Sequence, residues 1–422
     1  MKTTWVVKPE SRNLYCRQNS RRNAAVLVAG IAASAVLLAA CGSSSDSSGG
    51  SKTIKLGSFA PLSGPAVSAS DYAKGAEVCF KQANASGGVN GYKFDYQILD
   101  DQYNPARTPS VTRVLVEKNK VFALVSTVGT AQLLAVKGYL DSQKVPVVGA
   151  GTGGSSAASD NIYILLQSYA NEGAFQLKFA SDNFSGAKLG AIYQNDAVGQ
   201  PDLVGYKAEA KSLGLSDFVA VPYTAAAADL TPQVSKLKAA GIEVVMEAGG
   251  SADYPRIVKA MDALNYHPKI IAASYQGTVR VLKGLPTKST DGKLFFSSIT
   301  PPSNDPALAD LRAGFAKYAP KLDPIPGTSL LGYAGCLMFK DAFKQMTDGG
   351  TKPTRPALLK ILNGFKNYSN VLVKNITYAP SPGVTAPHAP RPDMSVWTYK
   401  NGVVSILKSA SSVPKVPGEP TQ

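Results

Sequence analysis

Short runs that are apolar on both faces recur through this chain, Phe122-Ala123-Leu124-Val125 and Pro146-Val147-Val148 among them. Such runs suit strands buried between two helical layers, the environment of a parallel sheet. Segments of helical period lie between them. In the first half the pattern predicts strands over 53–59, 92–99, 121–126 and 145–148 and helices over 71–86 and 105–118, the second with Asn104 as N-cap and Pro105 in its first turn. The pattern then restarts. Strands over 188–194, 218–223, 243–248 and 269–274 alternate with helices over 201–213, 230–239 and 252–264. Leu230, Val234 and Leu237, like Ile257, Met261 and Leu264, fall at i, i+4, i+7 and give each helix one buried stripe. A strand over 294–299, helices over 306–319 and 329–347, and a hairpin of 396–399 with 403–407 about Asn401-Gly402 follow. Residues 380–392 are Pro-rich and lack either period. The fold class is α/β, with two doubly wound parallel-sheet lobes.

Before the first strand the chain reads as a leader. Arg12, Arg17, Arg21 and Arg22 precede the apolar stretch 24–40, which ends in Leu38-Ala39-Ala40-Cys41-Gly42 and opens onto a Ser/Gly-rich tether. This is a lipoprotein processing pattern. Residues 1–40 are the expected signal peptide, and 41–52 the lipidated cysteine and flexible spacer. The alternatives are ordinary secretory cleavage or an anchoring helix, and Arg21-Arg22 admits twin-arginine export. Six of the 44 basic residues and one of the 29 acidic ones fall in the leader, so the remainder keeps a moderate, scattered positive excess. That is a solvated basic surface, not the clustered stripe of a nucleic-acid binder.

Four cysteines are present. Cys16 belongs to the leader and Cys41 to the lipid, which leaves Cys79 and Cys336, both on predicted helices. They are either one disulfide or two buried thiols. Nothing points to an enzyme. His267 and His388 are the only histidines, each beside a proline in an expected surface loop, and zinc-type Cys/His spacing, nucleophile elbow and phosphate loop are all missing. Gly149-Ala150-Gly151-Thr152-Gly153-Gly154 matches a dinucleotide fingerprint, but 155–161 reads as loop where the fingerprint needs a helix. Neither cofactor nor metal is expected. A carboxylate-based hydrolase is the remaining enzyme reading.

Ile54-Lys55-Leu56-Gly57, Ala60-Pro61-Leu62-Ser63-Gly64-Pro65, Gly87-Gly88-Val89-Asn90-Gly91, Asp100-Asp101-Gln102, Tyr193-Gln194-Asn195-Asp196 and Asp229-Leu230-Thr231 together resemble the leucine/branched-chain amino-acid-binding family, the type I periplasmic binding proteins of ABC importers. The resemblance spans nearly the whole chain after the leader. It implies a monomeric two-lobed clamp, lipid-anchored outside the cell membrane, that closes on a small-molecule ligand and hands it to permease and ATPase subunits. A receptor lobe that signals without transport is the other binding reading. The implied lobes are 53–167 with 301–371 and 168–300 with 372–410, joined by hinge crossings at 166–168, 300–303 and 370–374, with 411–422 as a tail. Ser63, Gly151 and the loops carrying Thr130 and Thr152 are implied ligand contacts, the two threonines holding a carboxylate.

In one respect the chain departs from the family. Where leucine-type receptors pair the ligand ammonium with an acidic residue and pack it against an aromatic one, this sequence has Tyr275-Gln276 and Val198-Gly199. A buried ammonium without a partner is costly. Asp196 and Asp253 are the substitutes in neighbouring loops. The expected ligand is a small apolar carboxylate or amide, with Tyr275 and Tyr169 at its far end, and branched-chain amino acids are the runner-up.

Overall fold

The computed structural model describes residues 52–419 apart from 226, 252, 274, 277–278, 323–324 and 380–387. The leader, Cys41 and the start of the tether lie outside the described residues. The first sheet has the order β2-β1-β3-β4-β5, all parallel, from β1 (Lys52–Ala60), β2 (Tyr92–Asp100), β3 (Ala123–Val125), β4 (Val147–Ala150) and β5 (Ile162–Ile164). Between these strands run α1 (Asp71–Ala85), α2 (Thr108–Arg113), which continues as a π turn over Val114–Lys118, and α3 (Thr130–Ser142).

The second sheet contains β6 (Leu189–Gln194), β7 (Val219–Tyr223), β8 (Val244–Ala248), β9 (Lys269–Ala273), β10 (Leu294–Ser298), β11 (Met394–Lys400) and β12 (Val403–Ser411) in the order β12-β11-β10-β9-β8-β6-β7. Five strands are parallel, and β11 and β12 add an antiparallel edge. Asn401 and Gly402 both have positive φ, 52° and 77°, as a two-residue hairpin turn requires. Helices α4 (Tyr169–Asn183), α5 (Gly199–Ser212), α6 (Thr231–Ala239), α7 (Tyr254–Ala263), α8 (Val279–Lys283) and α9 (Thr287–Thr290) belong to this half. The chain then returns to the first sheet with α10 (Ala309–Tyr318), α11 (Gly327–Thr347) and α12 (Arg355–Asn363).

The pairing of α1 with α11 seals the first sheet. Phe80, Phe94, Phe339 and Phe343 pack there at centroid separations of 5.3–5.9 Å, several edge to face. Two glycines let the helix backbones touch. A Cβ on Gly75 would sit 1.9 Å from the Ser329 carbonyl oxygen, and one on Gly332 would sit 1.7 Å from that of Tyr72. One turn further along, Cys79 and Cys336 form a disulfide, with Cα atoms 6.2 Å apart.

The third passage between lobes differs from the expected 370–374. Residues 372–379 stay on the first lobe: Tyr368 and Ile376 bridge, the Tyr378 amide donates to the Phe365 carbonyl, and the Tyr378 hydroxyl donates to the Ile164 carbonyl. His388 is buried rather than in a surface loop. Its ring stacks on Tyr163 at 4.1 Å, and its carbonyl accepts from the Ile164 amide of β5. The chain reaches the second lobe only between His388 and Met394, where Gln167 Nε2 donates to the Pro392 carbonyl at 3.1 Å. Nor is 411–419 a detached tail: Val413 and Val416 are buried, and the Val416 amide donates to Asn171 on α4.

Candidate ligand-binding site

The carboxyl ends of the parallel strands face each other across the two lobes, and a cavity of about 260 Å³ lies there. Open α/β sheets bind ligands at this position. Four tyrosines dominate its wall: Tyr72 from α1, Tyr103 after β2, Tyr169 at the start of α4 and Tyr275 after β9. Leu166 and Leu331 add apolar surface. The second lobe contributes Gln194, Gly250, Asp253 and Arg256.

Of the residues anticipated from sequence, Gly151, Tyr169 and Tyr275 line this cavity. Ser63, Thr130 and Thr152 do not. Ser63 is exposed and donates to Asp100 Oδ2 at 2.5 Å, bracing the turn after β1. Thr130 and Thr152 are buried and bonded to each other at 2.7 Å, and Thr152 also accepts from the Gly154 amide. The loop amides are used internally too, Gly129 donating to the Gly151 carbonyl and Gly151 to that of Thr127. The Tyr169 ring packs against Gly153 of the same loop, its amide donates to the Gly153 carbonyl at 3.0 Å, and burial raises the pKa of its hydroxyl. The cradle expected to grip a ligand carboxylate is thus closed by its own hydrogen bonds, with the Tyr169 ring packed beside it.

The glycines of that loop now have a steric reason. A Cβ on Gly151 would come within 2.9 Å of the Tyr72 ring, and one on Gly153 within 2.5 Å of the Tyr169 ring. Two aromatic rings therefore pave the loop and convert a polar cradle into an apolar wall. The loop is followed only by a single 3-10 turn, Ser155–Ala157, so the glycine-loop-to-helix arrangement of a dinucleotide site is not formed.

Tyr103 was not anticipated. It and Gln102 both adopt left-handed conformations, φ 55° and 57°, which cost energy in non-glycine residues. The buried Asp101 carboxylate holds them, accepting from the Tyr103 amide at 3.0 Å and from the Thr108 hydroxyl at 2.9 Å, while Gln132 donates to the Tyr103 carbonyl. Asp101 in the Asp100-Asp101-Gln102 stretch was the available signal.

On the second lobe, Tyr275 faces the cavity and Gln276 turns inward. Its side chain accepts from the Ala273 amide and donates to the Gly249 carbonyl and to Glu247. Glu247 also receives the Tyr223 hydroxyl at 3.4 Å. Asp196 is exposed, engaged by Gln194 and the Val198 amide, and is not part of the cavity wall. Asp253 is part of it, paired with Arg256 Nη1 at 2.7 Å.

Behind this wall burial raises the pKa of Glu172, Asp202 and Glu247. Glu172 is pushed up to about 7 by burial, against the opposing hydrogen bond from Ser297 at 2.5 Å. The folded protein therefore keeps this proton where the unfolded chain, titrating near 4.5, gives it up. Between those values the unfolded state binds fewer protons, so stability falls as pH rises and levels off above the folded pKa. The component is on the order of 3 kcal/mol. Glu172→Gln is expected to flatten that slope in urea unfolding measured from pH 4.5 to 8; parallel slopes for parent and variant would exclude the assignment.

The family model described as "Periplasmic binding protein" matches residues 53–394. Leu/Ile/Val-binding protein homolog 3 of Brucella melitensis is 26% identical over 204 residues, 47% of this chain and 55% of that protein. Leu/Ile/Val-binding protein homolog 1 of Brucella suis is 25% identical over 56% of this chain and 62% of its own length. The aligned regions thus span little more than half of these curated relatives. Among solved structures, a fatty acid ABC transporter substrate-binding protein from Thermomonospora curvata superposes with a TM-score of 0.74 at 21% identity, covering 86% of this chain and 92% of that one. A branched chain amino acid ABC transporter structure from Thermus thermophilus with bound valine gives 0.72 at 16%, covering 86% and 97%. At those identities the superpositions establish the shared fold.

Proposed function

Because the chain belongs to the periplasmic binding protein family, we propose that it is the extracytoplasmic solute-capturing component of an ABC importer of the branched-chain amino-acid type, held to the membrane by lipid on Cys41. The observation that carries this is a cavity walled by both lobes, with three chain passages between them to act as a hinge. A ligand that touches both lobes shifts the population toward the closed clamp. The wall is largely aromatic and aliphatic and holds one ion pair, which favours an apolar solute carrying a carboxylate or amide; a branched-chain amino acid is the second reading. Two fold neighbours, a fatty acid ABC transporter substrate-binding protein and a branched chain amino acid ABC transporter structure with bound valine, bracket that range. Permease and ATPase subunits are the partners, and the chain acts as a monomer.

Thermal-shift screening of aliphatic and aromatic acids, amides and amino acids identifies the ligand class, and small-angle scattering reads the clamp. Saturating ligand is expected to reduce the radius of gyration. A ligand that binds tightly without contraction would remove the clamp from the proposal. Cys41→Ala is expected to move the protein from the detergent to the aqueous phase; equal partitioning of variant and parent would remove the anchor.

A further inference from the structure

We infer that Arg256 is the anion partner of the ligand and Thr328 its hydrogen-bonding partner on the opposite lobe, so that the solute is an apolar carboxylate without an α-ammonium group. This deepens the receptor reading above and rests on it. Both residues line the interlobe cavity. Arg256, in the first turn of α7, spends Nη1 on Asp253, while its Nη2 is buried with no partner among the described residues. A guanidinium presents its N–H groups as a planar fork, and the unused arm is a ready donor to a carboxylate oxygen.

Thr328 stands across from it, 7% exposed, its hydroxyl also without a partner among the described residues. It lies in the first turn of α11, a 21-residue helix with no side-chain cap. An N-terminal turn favours negative charge and hydrogen-bond acceptors. Buried polar groups are almost always paired, so two unpaired ones on a single cavity indicate what is to fill it.

Among the described residues the same wall offers no unengaged counterion for an ammonium. Asp253 is already neutralised by Arg256, Glu247 is held behind the wall by Tyr223 and Gln276, and Asp196 lies outside it. The tyrosine rings offer an ammonium only a weak cation–π contact, far short of its desolvation cost.

The test is calorimetry on the full chain with 4-methylpentanoate, octanoate and 3-phenylpropanoate, each against its amide, its amine and the corresponding 2-amino acid. A carboxylate is expected to bind at least about tenfold tighter than its three counterparts. Arg256→Gln alone strands Asp253, so it is combined with Asp253→Asn. The double variant is expected to weaken the carboxylate about ten- to a hundredfold while leaving the amide within threefold, roughly the measurement scatter. Thr328→Val should weaken carboxylate and amide alike, and Asp253→Asn alone should tighten the carboxylate. A 2-amino acid that binds tighter than its carboxylate and is lost in Asp253→Asn would overturn the inference and leave the receptor reading intact. Carboxylate affinity unchanged in the double variant would do the same. If none of these probes binds or contracts the molecule in scattering, the receptor reading falls, and this inference with it.

Discussion

Alanine in place of Gly332 is expected to destabilise the protein by about 3 kcal/mol and to weaken ligand binding as well. The added methyl would lie 1.7 Å from the Tyr72 carbonyl oxygen and 2.6 Å from its carbonyl carbon, which are backbone atoms that no rotamer change can move. Relief requires α1 and α11 to separate. Alanine normally gains about 1 kcal/mol over glycine inside a helix, so the overlap must outweigh that gain before any loss is seen. Tyr72 and Thr328 ride on these two helices, so separation also displaces two walls of the cavity. Gly138→Ala on α3 is the control: a Cβ there meets nothing within 4 Å, and a gain of about 0.5–1 kcal/mol is expected. Chemical denaturation of both variants checks the pair. A Gly332→Ala protein as stable as the parent would show that the helices are not in backbone contact.

Removing the disulfide is expected to cost about 2–5 kcal/mol. Cys79 and Cys336 are 257 residues apart in sequence, so the bridge ties one end of the folded chain to the other and excludes a large set of open conformations from the unfolded state. Reducing agent should lower the urea midpoint of the parent to that of Cys79→Ser/Cys336→Ser and leave the double variant unchanged. Two freely alkylatable thiols in the unreduced, denatured protein would return these residues to the buried-thiol reading.

Where local chemistry decides the outcome, the chain was readable in advance. Strands such as β4 are apolar on both faces because both are covered, and the hairpin at Asn401-Gly402 follows from turn conformations that few residues tolerate. The last passage between lobes has no such signature. It depends on the Tyr368–Ile376 bridge and on His388 stacking against Tyr163, contacts between segments that no period or motif links. The site divides the same way. Gly151 and Tyr275 lie at strand ends, where position in the fold predicts exposure to the cleft. Thr130 and Thr152 lie in the loops after such strands too, but they bond to each other, and Tyr169, which arrives from beyond the first hinge passage, packs on Gly153 beside them. Tyr72 reads as one more core residue of an amphipathic helix. Arg256 and Thr328 are distinguished by a missing partner, a property that exists only once every neighbour is in place.

The interleaving of the two lobes along the chain also sets an order of events during biogenesis. All five strands of the first sheet are complete by Ile164, yet α11, which covers that sheet and supplies Cys336, begins only at Gly327. Until then a polypeptide made from its N-terminus carries a finished row of hydrophobic strands with one face covered only in part, by α1, and the second sheet waits still longer for β11 and β12. Contacts of such long range form slowly, and the exposed intermediate is prone to aggregate. Each lobe is discontinuous in the chain, so the first is complete only once Tyr378 and His388 have been made and the second only after β12. Premature termination before α12 leaves both halves uncovered, so truncated products of this chain are natural substrates for chaperones and proteases.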